Sequence, residues 1–341
     1  MTLGGVELFA LIGFLFAAYA VIANDSIQTL GTFLASNAHR PWWVLWLFAS
    51  GILVAALGHS YFFADGDIAD GKLNLLPYPE EGIQWWHALP PIVLLFLTRF
   101  GIPVSTTFLV LTVFAMSGGS ATEGVMSGML IKSALGYLVA FVAGGVVYLV
   151  ISNRWEKWIG NTRHEEHAYY WTMFQWATTA FLWWTWLKQD FANIFVFLPR
   201  TQEEVGSTAM FDPSLIIFGG VVLVAMQAYI MATRGGEIQK IVLSKTHTTD
   251  IRAATIVDLI YAIILYIFKE QSDIPMSTTW VFLGLLAGRE LAISWVSSLR
   301  ARGEAASDVG SDMVRALIGL AISVVLAIGM PWAATGRMPT F

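Results

Sequence analysis

The sequence predicts an all-α polytopic membrane protein of two inverted-topology repeats, each of about three transmembrane helices plus a re-entrant helical hairpin. Three observations carry this. Charged residues make up 13% of the 341 positions and hydrophobic residues 56%, with mean hydropathy +0.64, whereas a soluble domain is about a quarter charged. Stretches such as 135–151 and 216–230 contain no charged residue, as a membrane span requires. The third is a repeated sentence, Ile-Pro-x-Ser-Thr-Thr, at positions 102–107 and 274–279, offset by 172 residues.

Residues 1–22 form an apolar span that lacks a basic leader, so it is expected to be retained. It is interrupted by Ala23-Asn24-Asp25-Ser26-Ile27-Gln28, resumes to about 35, and ends in a polar turn at 36–41. A span at 42–63 precedes the acidic, Gly- and Pro-rich segment 64–82, expected to be a solvated loop. Residues 85–100 lead into the first Ser-Thr-Thr and 108–116 lead out, followed by a Gly/Ser turn and a long span at 125–151. The charged segment 153–168 divides a first repeat (1–152) from a second (169–341). Then the order recurs. A span from 169 is expected to break near Gln189-Asp190-Phe191-Ala192-Asn193; a span at 214–231, a basic loop at 233–250, a second hairpin (251–287), a polar connector at 289–312 and a last span at 313–330 follow.

An odd number of crossings per repeat turns the second upside down, and charge tests the arrangement. Placing 36–42, 153–168, 233–252 and 289–315 in the cytoplasm puts twelve of the 19 Lys and Arg there, against Lys72, Arg200 and Arg337 on the other side. That satisfies the positive-inside rule with both termini outside, in the cell (inner) membrane.

Two sets of residues are candidates for chemistry. At each hairpin, proline suits the first turn of a helix and Ser or Thr hydroxyls cap its free amides. Amides, hydroxyls and a helix dipole gathered in one place favour an anion. Asn24, Asp25 and Gln28, with Gln189, Asp190 and Asn193 165 residues later between the two Asp, offer a carboxylate and amide oxygens at membrane depth. A charge there is costly and marks a functional site by default. Carboxylate and amide oxygens suit Na⁺, and a lone carboxylate suits a proton. Asn and Asp also act as caps and interhelical contacts, and Ser and Thr in a Pro-kinked span bond back to carbonyls; duplication in register favours the site in both cases.

These four motifs, with Thr233-Arg234-Gly235-Gly236-Glu237-Ile238 leading through Thr249-Asp250 into the second hairpin, resemble the inorganic phosphate transporter (PiT) family, which couples uptake to Na⁺ or H⁺. The resemblance spans both halves. It implies a symporter with an oxyanion, phosphate or alternatively sulfate, at Ser105, Thr106, Thr107, Ser277, Thr278 and Thr279. It places Na⁺ (or H⁺) as the coupling ion at Asn24, Asp25, Gln28, Gln189, Asp190 and Asn193, with no other cofactor, and a homodimer is plausible. The chain departs from the family pattern: Gln28 and Gln189 replace Asn, and Phe108 and Trp280 stand where the family follows Ser-Thr-Thr with His. These bear on which oxyanion is carried more than on the fold. An uncoupled anion channel is the rival reading, although buried carboxylates repel a permeating anion unless a cation neutralises them.

Other residues have ordinary readings. Lys132 and Arg315 are expected to snorkel, and Arg99 and Lys269 either attract anions or form structural pairs. His59 and His87 read as interface residues, and Trp42, Trp43, Trp85, Trp86, Trp183 and Trp184 as an aromatic belt. The absence of cysteine excludes thiolate and disulfide chemistry. No metal-ligand spacing, nucleotide loop or nucleophile arrangement appears, so neither an enzyme nor a nucleic-acid partner is expected.

Overall fold

With no water in a bilayer core, each backbone N–H and C=O must be satisfied within its own segment, so the apolar runs coil into helices. A computed structural model describes residues 2–3, 6–99, 104–118, 122–162, 169–234, 250–271, 274–296 and 301–336, without the side chains of 2, 3, 6, 27, 28, 98, 99, 151–157, 160 and 269–271. After a two-residue antiparallel pair, Thr2–Leu3 with Val6–Glu7, the chain is helical. Helix α1 (Leu8–Ala20) passes through a π-helical turn (Val21–Asp25) into α2 (Ser26–Ser36), and α3 (Trp42–Phe63) follows. A 3₁₀ turn (Trp85–Ala88) leads to α4 (Leu89–Arg99), and a π-helical turn (Thr107–Leu111) to α5 (Thr112–Ser117). The rest is α6 (Val125–Asn161), α7 (Tyr169–Phe195), α8 (Pro213–Ala232), α9 (Ile251–Gln271), α10 (Thr278–Val296) and α11 (Arg302–Thr335).

Among the described residues, seven helical stretches are long and apolar enough to cross a membrane. Lipid-facing side chains need not be polar, and Val150, Phe62 and Val325 are more than two-thirds exposed. Cohesion comes instead from close packing and interhelical hydrogen bonds. Helices α6 and α10 pack through glycines: a Cβ at Gly288 would sit 2.0 Å from the Phe141 carbonyl oxygen, and one at Gly284 2.3 Å from that of Tyr137. Helices α3 and α8 are joined by Ser50 Oγ donating to Gln227 Oε1 (2.7 Å) and Trp46 Nε1 to the Val224 carbonyl (3.0 Å). Arg252, at the start of α9, pairs with Asp250 (2.7 Å) and stacks on Trp158 of α6 (4.1 Å).

Several expectations need correction. Helix α7 runs unbroken through Gln189–Asn193 and ends at Phe195; only the first Asp motif interrupts its helix. The two hairpins also differ, since α9 and α10 contain stretches long enough to span whereas the apolar helices at 85–97 and 107–117 are short. The segment 64–82 is no solvated loop: Ile68, Ala69, Lys72, Leu73 and Leu76 are buried. Asp67 folds it, its carboxylate accepting the amides of Ala69 (3.1 Å) and Gly71 (2.7 Å). Buried Arg200 clamps it, donating to the Leu76 and Val196 carbonyls (2.5 and 2.9 Å) beneath the Tyr78 ring. Trp86 and Trp183 are core residues, and Trp183 stacks on Trp186 with centroids 4.7 Å apart; Trp42, Trp43 and Trp85 stay exposed. Of the histidines, His87 is buried against Trp86, and His59 lies 3.4 Å from Lys188.

Candidate functional site

Each hairpin restarts as a helix capped by its own serine. Ser105 Oγ accepts the Phe108 amide (3.2 Å), and Ser277 Oγ accepts the Trp280 amide (3.1 Å), the N-cap geometry expected of Ser. Residues 101–103 lie outside the described residues, but Val104 and Ser105 precede the first restart and Pro275, Met276 and Ser277 the second, all non-helical. Lys132 does not snorkel; it is buried, and its ammonium donates to the Ile274 carbonyl (2.9 Å), which holds the second hairpin against α6. Ser133 on the next position accepts the Ser277 amide (2.8 Å). The side chains of Arg99, Lys269 and Gln28 lie outside what the structure describes.

The four motifs converge. Thr106 donates to Asp25 Oδ2, and Thr278 donates to Asp190 Oδ1 at 3.4 Å, so the middle threonine of each hairpin meets the aspartate of its own half. Thr107 also links the halves: it accepts from Asn193 Nδ2 (3.3 Å) and donates to the Met276 carbonyl (3.2 Å). Tyr261 of α9 donates to the Thr278 carbonyl (3.0 Å). Asn24, Asp25, Ser105, Thr106, Thr107, Gln189, Asp190, Asn193, Ser277, Thr278 and Thr279 are all at least 95% buried.

Satisfaction is uneven. Asn24 Nδ2 donates to Asp25 Oδ1 (2.6 Å), and with Thr106 this occupies both Asp25 oxygens. The π-helical turn there frees carbonyls that hydroxyls take up, Thr29 Oγ1 on Asp25 (3.0 Å) and Ser26 Oγ on Ile22. In the second motif Asn193 Nδ2 donates to Asp190 Oδ1 (2.8 Å). Asp190 Oδ2, Asn193 Oδ1 and both polar atoms of Gln189, however, are buried without a hydrogen-bond partner among the described residues. A buried polar atom left unmatched costs about 1–3 kcal/mol. Three such oxygens on one helix, one of them a carboxylate oxygen, have the hard-donor chemistry that would suit a small cation. None of the described Lys, Arg or His side chains hydrogen-bonds either aspartate; Lys188, two residues from Asp190, turns instead to Ser60 (3.1 Å) and Asp70 (3.4 Å).

No family model matches the chain, and no curated protein matches it. A solved structure does. "The sodium-dependent phosphate transporter" aligns over 97% of this chain and 98% of its own, with a TM-score of 0.59 at 14% identity. The two share a fold. At that identity the likeness extends to the whole architecture, in which the four motifs are brought together, and the chain is an integral membrane protein with a transporter's fold.

One buried carboxylate escaped the sequence reading. Asp258, in the middle of α9, accepts from Thr32 Oγ1 of α2 (2.5 Å) and Thr179 Oγ1 of α7 (2.6 Å). Thr179 in turn accepts from Gln175, and Gln175 from Asn37, so a polar column runs away from the central cluster along α2 and α7. An acidic residue within an otherwise apolar run was the available signal.

Proposed function

We propose that the chain is a secondary active symporter that moves an inorganic oxyanion, phosphate, with Na⁺ by alternating access around the four-motif cluster. The observation that carries this is the set of unmatched buried oxygens on Gln189, Asp190 and Asn193, within one hydrogen bond of the hairpin threonines. Cations bound there and at Asn24 and Asp25 neutralise the carboxylates and make the adjoining hydroxyls and helix ends of Ser105, Thr106, Thr107, Ser277, Thr278 and Thr279 acceptable to an anion. Cation and anion then bind cooperatively, since each lowers the electrostatic cost of the other. The fold shared with a protein titled a sodium-dependent phosphate transporter supports the same substrate pair. Within this reading residues 1–152 and 169–341 are inverted repeats about the connector 153–168, both termini lie outside, and the basic connectors lie in the cytoplasm.

The test is uptake of labelled phosphate into proteoliposomes with and without an inward Na⁺ gradient, with sulfate as competitor. Na⁺-driven phosphate uptake that excess sulfate leaves intact is the expected result. Uptake driven by a proton gradient alone would reassign the coupling ion; sulfate flux without phosphate flux would reassign the anion. Anion flux unchanged by Asp190→Asn and independent of any cation gradient would replace the symporter with a channel.

A further inference from the structure

A cavity of about 360 Å³ lies between α6, α10 and α11. Its rim carries exposed Asp308, Ser311 and Arg315, and its walls descend α10 past Glu290 and Leu283 to Trp280. From Glu290 to Trp280 is ten residues, about 15 Å of helix at 1.5 Å per residue, so the cavity follows the middle of α10 almost to its N-terminus. The next turn is Ser277–Thr278, in the central cluster.

Trp280 ends the cavity. Its indole meets the Phe108 ring edge-on, with centroids 5.6 Å apart, and Tyr137 at 6.5 Å. Phe108 is 1% exposed and Trp280 half-buried. Both rings sit on residues whose amides bond the capping hydroxyls of Ser105 and Ser277. The two positions after the duplicated Ser-Thr-Thr therefore meet across the cluster as one aromatic pair.

We infer that Phe108 and Trp280 are the gate on this face of the site, and that the cavity behind Trp280 is the vestibule through which the transported ions pass. This rests on the symporter reading for what passes, but the barrier itself is a statement about access alone. An edge-to-face pair is cohesive yet turns on few side-chain torsions, which suits a barrier that opens by rotation of one ring. Asp308, Asp312 and Glu290, the last paired with Arg289 at 3.0 Å, face Arg315 in the vestibule lining, so its charge is mixed and acts alike on entry and exit.

The natural absence of cysteine makes the test clean. Single Ser311→Cys and Ser277→Cys variants are treated with a charged, membrane-impermeant methanethiosulfonate reagent in intact cells and in inverted vesicles, and modification is read as a mass shift. Ser311→Cys is expected to react quickly from one face only. Ser277→Cys is expected to react about tenfold faster in a Trp280→Ala background, from that same face, with Trp280→Phe restoring slow modification. Trp280→Leu, which disturbs packing less, should give an intermediate rate and serves if Trp280→Ala fails to fold. Unchanged reactivity of Ser277→Cys in both backgrounds, or acceleration from the opposite face, overturns the gate. Because the readout is thiol modification and not flux, a failure of phosphate uptake leaves this outcome unaffected.

Discussion

Asp25 lies in a π-helical turn with both carboxylate oxygens hydrogen-bonded, while Asp190 lies in an unbroken α-helix where one of its oxygens, the Asn193 Oδ1 and both polar atoms of Gln189 are unmatched among the described residues. The motifs occupy matching places in the two halves and touch matching threonines, so the contrast is one of local preorganisation. In the first, the Asp25 carboxylate is satisfied without a ligand and holds the hairpin. The second leaves buried oxygens unmatched, and on the proposed reading is the half in which a cation would gain most by binding.

The largest effect that would sharpen or break this contrast is on cation dependence. Asp190→Asn should lower apparent Na⁺ affinity in proteoliposome uptake by about a hundredfold, and Asp25→Asn by about tenfold, since Asn at 25 still accepts one of the two hydrogen bonds. Equal losses, or the reverse order, would remove the distinction. Next is stability. Thr106 fills an Asp25 oxygen, whereas Thr278 lies at the limit of hydrogen-bond range from Asp190. Thr106→Val should therefore cost about 1–2 kcal/mol and Thr278→Val less than about 0.5 in thermal unfolding of the solubilised protein; comparable shifts in melting temperature would speak against it. Gln189→Ala separates binding from folding. With neither amide atom partnered among the described residues, its removal should leave melting unchanged or raised without Na⁺, yet diminish the stabilisation that added Na⁺ provides. Asn24→Ala should lower melting in both conditions.

The smallest effect lies outside the membrane, in the buried segment 64–82. Burial raises the Asp67 carboxyl above its ordinary value, against the two amides that lower it. A folded-state value above the unfolded one means the protonated acid is the better-accommodated form, so its contribution is complete below the unfolded value and is lost as pH rises through the folded one. Hydrogen exchange of this segment, corrected for intrinsic rates, should show protection falling as pH is raised from acid to neutral. Asp67→Asn should flatten the profile; an unaltered slope would assign it to another group.

What was legible in the sequence was whatever recurred. The duplicated Ser-Thr-Thr and Asp motifs located all four parts of the cluster, and the serine caps form as residue chemistry dictates. What stayed hidden was unique or depended on packing. Asp258 has no counterpart motif, and its partners Thr32 and Thr179 come from two other helices. Lys132 looked like a residue bound for the interface because position along a span does not disclose that the Ile274 carbonyl is within its reach. The 64–82 segment is polar in composition, yet Arg200, remote in sequence, draws it inward. Trp183 had the chemistry of a lipid interface and was placed in the core, stacked on Trp186, by α7's central position.

The glycine contacts between α6 and α10 carry a mechanical consequence. Backbones that approach until a single methyl group would collide with Tyr137 or Phe141 carbonyls cannot slide or splay without losing the whole seam. The two helices therefore behave as one stiff beam. Rocking must bend the chain elsewhere, and the non-helical Val104–Ser105 and Pro275–Ser277 offer such bends at the four-motif cluster itself.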